Sequence, residues 1–157
     1  MKTWILLVAS LAAVAAVGCG GDEGSDYTID DGPLAGQFDG KAWKFVSGDT
    51  NDFLSDESGY FATLYSTEVM ACASSTGGDS IVLVNVPKEV GSYDFGLSQN
   101  LTFAVGSDNF VSTTGVIEVT AVTDTKVSAG LYAIFNDDPN FEISGQFEID
   151  VCPGDGI

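Results

Sequence analysis

The last stretch of the chain alternates with period two. Phe141, Ile143, Gly145, Phe147, Ile149 and Val151 interleave with Glu142, Ser144, Gln146, Glu148 and Asp150. Successive side chains of a strand point to opposite faces, so this pattern predicts a strand with one face buried and one wet. Gly145 falls on the apolar face, which predicts a bend or a partner group lying directly over it. Upstream, Gly115 to Val122 and Val127 to Phe135 are β-rich runs flanking Thr123-Asp124-Thr125-Lys126, the signature of a hairpin. Asn136-Asp137-Asp138-Pro139-Asn140 reads as the next turn, because Pro139 cannot donate to a ladder and Asn and Asp tolerate turn dihedrals.

Earlier runs follow the same rule. Lys41 to Val46, Tyr60 to Thr67, Ile81 to Val86, Gly91 to Phe95, Leu101 to Val105 and Asn109 to Thr113 are short, β-branched or aromatic, and separated by Gly, Asp, Asn and Ser. Val69 to Ser74 fits either one helical turn or a continuation of the strand ending at Thr67. No stretch after residue 33 shows a 3.6-residue period. About 120 residues carrying eight or nine short strands predict an all-β fold over 34–157, a single antiparallel β-sandwich or flattened barrel.

The amino terminus follows different chemistry. After Lys2, the run from Trp4 to Val17 holds no charged residue. At 14 residues it is short of the ~20 that a membrane-spanning helix needs, and it suits the apolar region of a signal peptide. The junction Ala16-Val17-Gly18-Cys19 resembles the lipobox of bacterial lipoprotein precursors, with a small residue before the cysteine; Ala16 stands where such precursors usually carry Leu. The resemblance implies that 1–18 is a lipoprotein signal peptide and that Cys19, once lipidated, becomes the first residue of the mature protein. An ordinary secretory signal cut after Ala15, Ala16 or Gly18 is the alternative. One acyl chain holds only marginally and two hold stably, at about 0.8 kcal/mol per buried methylene. Gly20 after the cysteine, rather than Asp, implies by the same resemblance the outer membrane or cell surface. From Cys19 to Pro33 the chain is Gly- and Asp-rich with almost nothing apolar, which predicts a disordered acidic tether over 19–33.

Charge narrows the partners. All 23 acidic residues follow Cys19, there is no Arg or His, and Lys2 leaves with the signal, so four lysines against 23 acids give a mature charge of −19. Nucleic acid needs Lys or Arg to displace counterions, so that class of partner is excluded. An anionic membrane surface also repels the domain, leaving the lipid to hold it. With Cys19 assigned to lipid, Cys72 and Cys152 form an even pair in an exported chain and read as a disulfide; two separate buried thiols are the alternative.

Without histidine, Ser-His-Asp and Cys-His mechanisms are excluded in their usual forms, and no phosphate-binding glycine loop is present. A carboxylate pair of the glycosidase kind is chemically open, but no pair among 23 acids stands out. Calcium is the sharper metal candidate, because hard cations take carboxylate and carbonyl oxygens. The candidate ligands fall in two clusters, Asp49, Asn51 and Asp52 with Asp56 and Glu57, and Asp137 and Asp138 with Asn136 and Asn140. Neither fits the EF-hand spacing, and turn chemistry plus surface charge is the alternative reading of both. Trp43, Phe53, Tyr60, Phe61, Tyr65, Tyr93, Phe95 and Tyr132 offer either a glycan-stacking face or ordinary core and cross-strand pairs.

Phe38-Asp39-Gly40-Lys41-Ala42-Trp43 early and Ile143-Ser144-Gly145-Gln146-Phe147 late resemble the "G-K-x-W" and "I-S-G-x-F" strands of small bacterial lipoproteins of unknown function. That resemblance implies a β-sandwich-like fold and no particular activity. The expectation is a lipid-anchored cell-envelope protein, non-catalytic and without a cofactor, acting as an interaction or structural component. A calcium- or carbohydrate-binding β-sandwich module is the second expectation, with an unknown protein or glycan as partner.

Overall fold

The computed structural model describes residues 27–73 and 80–153, so the apolar amino-terminal run and Cys19 lie outside the described residues. Eleven strands follow in order: β1 (Ala35–Phe38), β2 (Lys41–Lys44), β3 (Ser47–Asn51), β4 (Gly59–Tyr65), β5 (Ser80–Pro87), β6 (Gly91–Asp94), β7 (Leu101–Val105), β8 (Asp108–Ser112), β9 (Thr114–Val122), β10 (Lys126–Phe135) and β11 (Asp138–Asp150). One 3-10 turn, Asp52–Leu54, interrupts them, and no α-helix occurs among the described residues. The fold is all-β, as the alternation predicts. It holds two strands beyond the nine runs read from sequence, β1 and β3.

The strands form one sheet in the order β6-β9-β10-β11-β3-β4-β5-β7-β8, with β1 pairing β11 and β2 pairing β1. Every strand pairing is antiparallel except β11–β3, which rests on the single register pair Asp150 and Asp49. The sheet curls so that its two wings share one core. Val127, Ala129, Leu131, Ala133, Ile143 and Ile149 from one wing face Ala62, Leu64, Val82, Val84, Leu101 and Phe103 from the other, all of them 0–1 % exposed. Each fully buried aliphatic or Phe side chain contributes about 1.5–3 kcal/mol relative to exposure, which makes this shared core the main favourable term. Aromatic contacts draw the wings together: Phe38 to Phe103 at 4.8 Å between ring centres, Phe103 to Phe141 at 5.9 Å and Phe110 to Phe141 at 4.5 Å. Beside them the Ser112 hydroxyl of β8 donates to the Ile134 carbonyl of β10 at 2.6 Å.

Turn chemistry fixes the hairpins. Asp39 and Gly40 both have positive φ (48° and 68°), as do Asn136 and Asp137 (51° and 56°), which is the primed geometry that matches strand twist. The second turn is therefore two residues long rather than the five of 136–140. Pro139 belongs to β11, where Phe135 pairs Asp138 and Ile134 pairs Glu142. The residues between lie in a bulge, a place where a missing N–H costs nothing. Met70 to Ala73 form a turn closed by the Ala73 N–H donating to the Met70 carbonyl at 3.3 Å, with Cys72 at φ 60°.

Of the stretch expected as tether, 27–33 is described, and it lies along β11. The Gln146 N–H donates to the Gly32 carbonyl and the Leu34 N–H to the Gln146 carbonyl, each at 2.8 Å. The Asp30 N–H donates to the Ser144 hydroxyl at 2.9 Å, and the Tyr27 ring stacks on Tyr132 at 5.1 Å. Leu34, fully buried, sits over Gly145, where a Cβ would come within 2.8 Å of the Gly32 and Leu34 backbone.

Candidate functional site

Three places gather chemistry-bearing side chains. The first is the corner where β3 meets β11. Cys72 and Cys152 are bonded, with Cα atoms 5.3 Å apart. β3 supplies the supports. The Asp49 carboxylate accepts the Cys72 N–H at 2.7 Å, and the Thr50 hydroxyl accepts the Cys152 N–H at 2.8 Å. The Ser47 hydroxyl donates to the Thr67 carbonyl at 2.8 Å and accepts the Val69 N–H at 3.0 Å. Burial pushes the Asp49 carboxyl above its ordinary value; the Cys72 N–H acts against this and the Asp150 charge adds to it. The Tyr65 hydroxyl is also raised, by burial first and then by Asp49. The arrangement is structural: the side chains of Ser47, Asp49 and Thr50 are spent on backbone groups of the two segments that carry the cysteines.

The second place is the pair of acidic clusters. Asn51 caps the 3-10 turn through the Leu54 N–H, which its side chain accepts at 3.2 Å. Asp52 lies in that turn, exposed. Asp56 accepts the hydroxyl and N–H of Ser58 at 2.7 and 2.8 Å and the Gly59 N–H at 3.0 Å, which holds its carboxyl below the ordinary range. Asp137 takes the left-handed turn position, and Asp138 accepts the Asn140 N–H and side-chain amide at 2.9 and 2.8 Å. Asp49 faces Cys72 instead of joining Asn51 and Asp52. The two clusters lie at opposite ends of β11, about 30 Å apart by the rise of the nine β10 steps that pair along it. Among the described residues no group of three or more His, Cys, Asp or Glu is placed to hold a metal ion.

The third place is a groove of about 380 Å³ on the outer face of the sheet. One wall is the strap 27–33, through Tyr27, Thr28, Ile29 and Asp31. The other is the sheet, through Ser92 of β6, Val116 and Glu118 of β9, and Gln146 of β11. Register explains the hollow. Ser92 pairs Glu118, Glu118 pairs Gly130, and Gly130 pairs Gln146, so one row across the sheet has no side chain at its centre. A Cβ at Gly130 would meet the Gln146 amide at 2.6–2.9 Å. Tyr132, under the Tyr27 ring, has its hydroxyl pushed up to about 12, by burial first and then by Glu142.

Comparison with known proteins finds no matching family model, no matching curated protein and no matching solved structure.

The aromatics read from sequence do not form one strip. Trp43, Tyr65 and Phe95 are buried at 4–9 % exposure, and Phe53 is 93 % exposed on the 3-10 turn. Tyr60 lies under the Lys88 ammonium at 4.8 Å, and the Tyr93 hydroxyl donates to the Glu89 carbonyl at 3.0 Å. None of the eight lines the groove; Tyr132 meets it through the stacked ring of Tyr27, a residue of the acidic stretch that was not among them. The available signal was Tyr27 with Ile29 two residues on, in a segment otherwise lacking apolar bulk.

Proposed function

We propose that this chain is an exported, lipid-anchored envelope protein whose β domain is a non-catalytic interaction module working at the membrane surface. The observation that carries this reading is the Cys72–Cys152 bond. Structural disulfides belong to oxidising compartments. The bond also accounts for both cysteines of the domain, so neither competes with Cys19 for the lipid. Gly20 supports an outer-membrane or surface destination. Among the described residues no helix is long and apolar enough to cross a membrane, which fits an anchor outside the domain.

The strap adds a distance. With Tyr27 docked on Tyr132, eight residue steps separate it from Cys19, a span of at most about 28 Å. The domain would then work close to the bilayer. A non-catalytic role is supported by the absence of histidine and by the placement of Asp49, whose raised carboxyl faces a loop amide and not the groove.

Intact mass of the native protein extracted from membranes tests this reading. A mass equal to Cys19–Ile157 plus acyl chains, rising by about 2 Da on reduction, is expected. A soluble, unlipidated mass would overturn the anchor and leave a freely secreted acidic domain.

A further inference from the structure

We infer that the groove between the strap and the sheet binds an uncharged saccharide. The inference rests on the interaction-module reading and names the ligand class for it. At about 380 Å³ the groove falls within the ~300–1,000 Å³ range of small-molecule sites. Two carboxylates of the lining only accept, while the hydroxyls of Thr28 and Ser92 and the Gln146 amide both donate and accept. The Asp31 and Glu118 carboxylates have no hydrogen-bond or ion-pair partner among the described residues. The Gln146 amide lies over Gly130 and donates one N–H to the Asp30 carbonyl at 3.3 Å, so it brings both donor and acceptor capacity to the groove. The Ser92 hydroxyl can donate or accept. A ligand rich in O–H donors satisfies this set. The Tyr27 ring has one face on Tyr132 and remains 41 % exposed, so it offers a flat surface to the C–H face of a sugar ring.

Other ligand classes fit less well. An anion would meet two carboxylates in a chain of charge −18 with no lysine in the lining. A metal ion lacks its third protein ligand among the described residues. An ammonium group would pair with carboxylates that are solvent-exposed, where ion pairs are weak and screened within about 8 Å at physiological salt. Because the groove has one wall from the strap and one from the sheet, an occupant bridges the two. It therefore ties the segment leading to Cys19 more firmly to β11.

The test uses the lipidated protein in detergent micelles. Cellotetraose, maltotetraose and chitotetraose are offered separately up to 10 mM, with saturation-transfer NMR as the readout. Binding of at least one is expected. Glu118→Ala and Tyr27→Ala should each weaken it by about fivefold, the first through a lost hydrogen-bond acceptor and the second through a lost stacking face. Glu89→Ala, outside the groove lining, should leave affinity unchanged. Melting midpoints of the variants separate lost contacts from lost fold. Binding of none of the three, or binding insensitive to both groove variants, overturns the inference. So does spermidine binding that needs Glu118 while all three saccharides fail. Any of these failures leaves the lipid anchor standing, because intact mass tests that separately.

Discussion

At the scale of single residues, two positions carry stability for opposite reasons. Gly145 has φ +134°, a region that side chains avoid, and backbone of the strap lies where its Cβ would be. Gly145→Ala should therefore cost about 2–4 kcal/mol and lower the urea midpoint. A midpoint unchanged from wild type would mean that the strap does not seat on β11. Asp49 acts through its proton. Its carboxyl is raised in the folded chain, so the folded state binds the proton more tightly than the unfolded state does. The contribution of this group is fully present below the ordinary value of 3.8 and is lost as pH rises through the raised value. Asn in its place still accepts the Cys72 N–H but does not titrate. The wild type should thus gain stability relative to Asp49→Asn as pH falls from 7 towards 4, read from paired urea midpoints. The opposite trend would mean that the Cys72 N–H outweighs burial.

At the scale of elements, the β11–β3 seam is the thinnest ladder in the sheet. One parallel register pair, Asp150 and Asp49, joins the two wings there, and the Cys72–Cys152 bond lies beside it. Cross-linking residues 80 apart contributes up to about 4–5 kcal/mol in the chain-entropy account. The double variant Cys72→Ser, Cys152→Ser should lose about 3–5 kcal/mol. Hydrogen exchange should rise first in β3, while the long β9–β10–β11 ladders keep their protection. Equal loss across both wings would mean that the bond stabilises the whole fold evenly.

The same seam shows what a reader of the sequence can and cannot see. β10 and β11 were legible because Val127, Leu131, Ile143 and Ile149 alternate with polar residues over a buried face. β3 was not, because Ser-Gly-Asp-Thr-Asn has no apolar period. Its inward residues, Gly48 and Thr50, are buried by tertiary packing, and Asp49 is spent on a loop amide. The same residues therefore looked like calcium ligands. β1 was too short to show a period. The groove was invisible for a related reason: it depends on Gly130 standing between Glu118 and Gln146, and register between strands far apart in sequence is not written in any one of them.

At the scale of the whole molecule, charge is the dominant global fact. Five lysines stand against 23 acids. Among the described residues the ion pairs are those of Lys126, at 2.6 Å to Glu148 and 3.5 Å to Asp150, and all three side chains are about half exposed. Exposed pairs contribute about 0–1 kcal/mol, so this small network cannot offset the mutual repulsion of the remaining acids. Repulsion favours the expanded chain, where like charges stand farther apart. Sodium chloride screens both effects, and the larger one decides the sign. Raising it from 20 to 500 mM shortens the Debye length from roughly 20 Å to about 4 Å, which removes most long-range repulsion but barely touches contacts at 3 Å. The expected outcome is a stability gain of about 1 kcal/mol, or about 3–6 °C in the melting midpoint. Chloride is the right anion for the measurement, because sulfate would raise the midpoint by strengthening apolar burial whatever the charge. A midpoint that fell with sodium chloride would mean that attraction around Lys126 exceeds the repulsion. Lys126→Gln should then abolish the fall. A rise that persists in Lys126→Gln would show that the acidic surface keeps the domain soluble at a cost in stability.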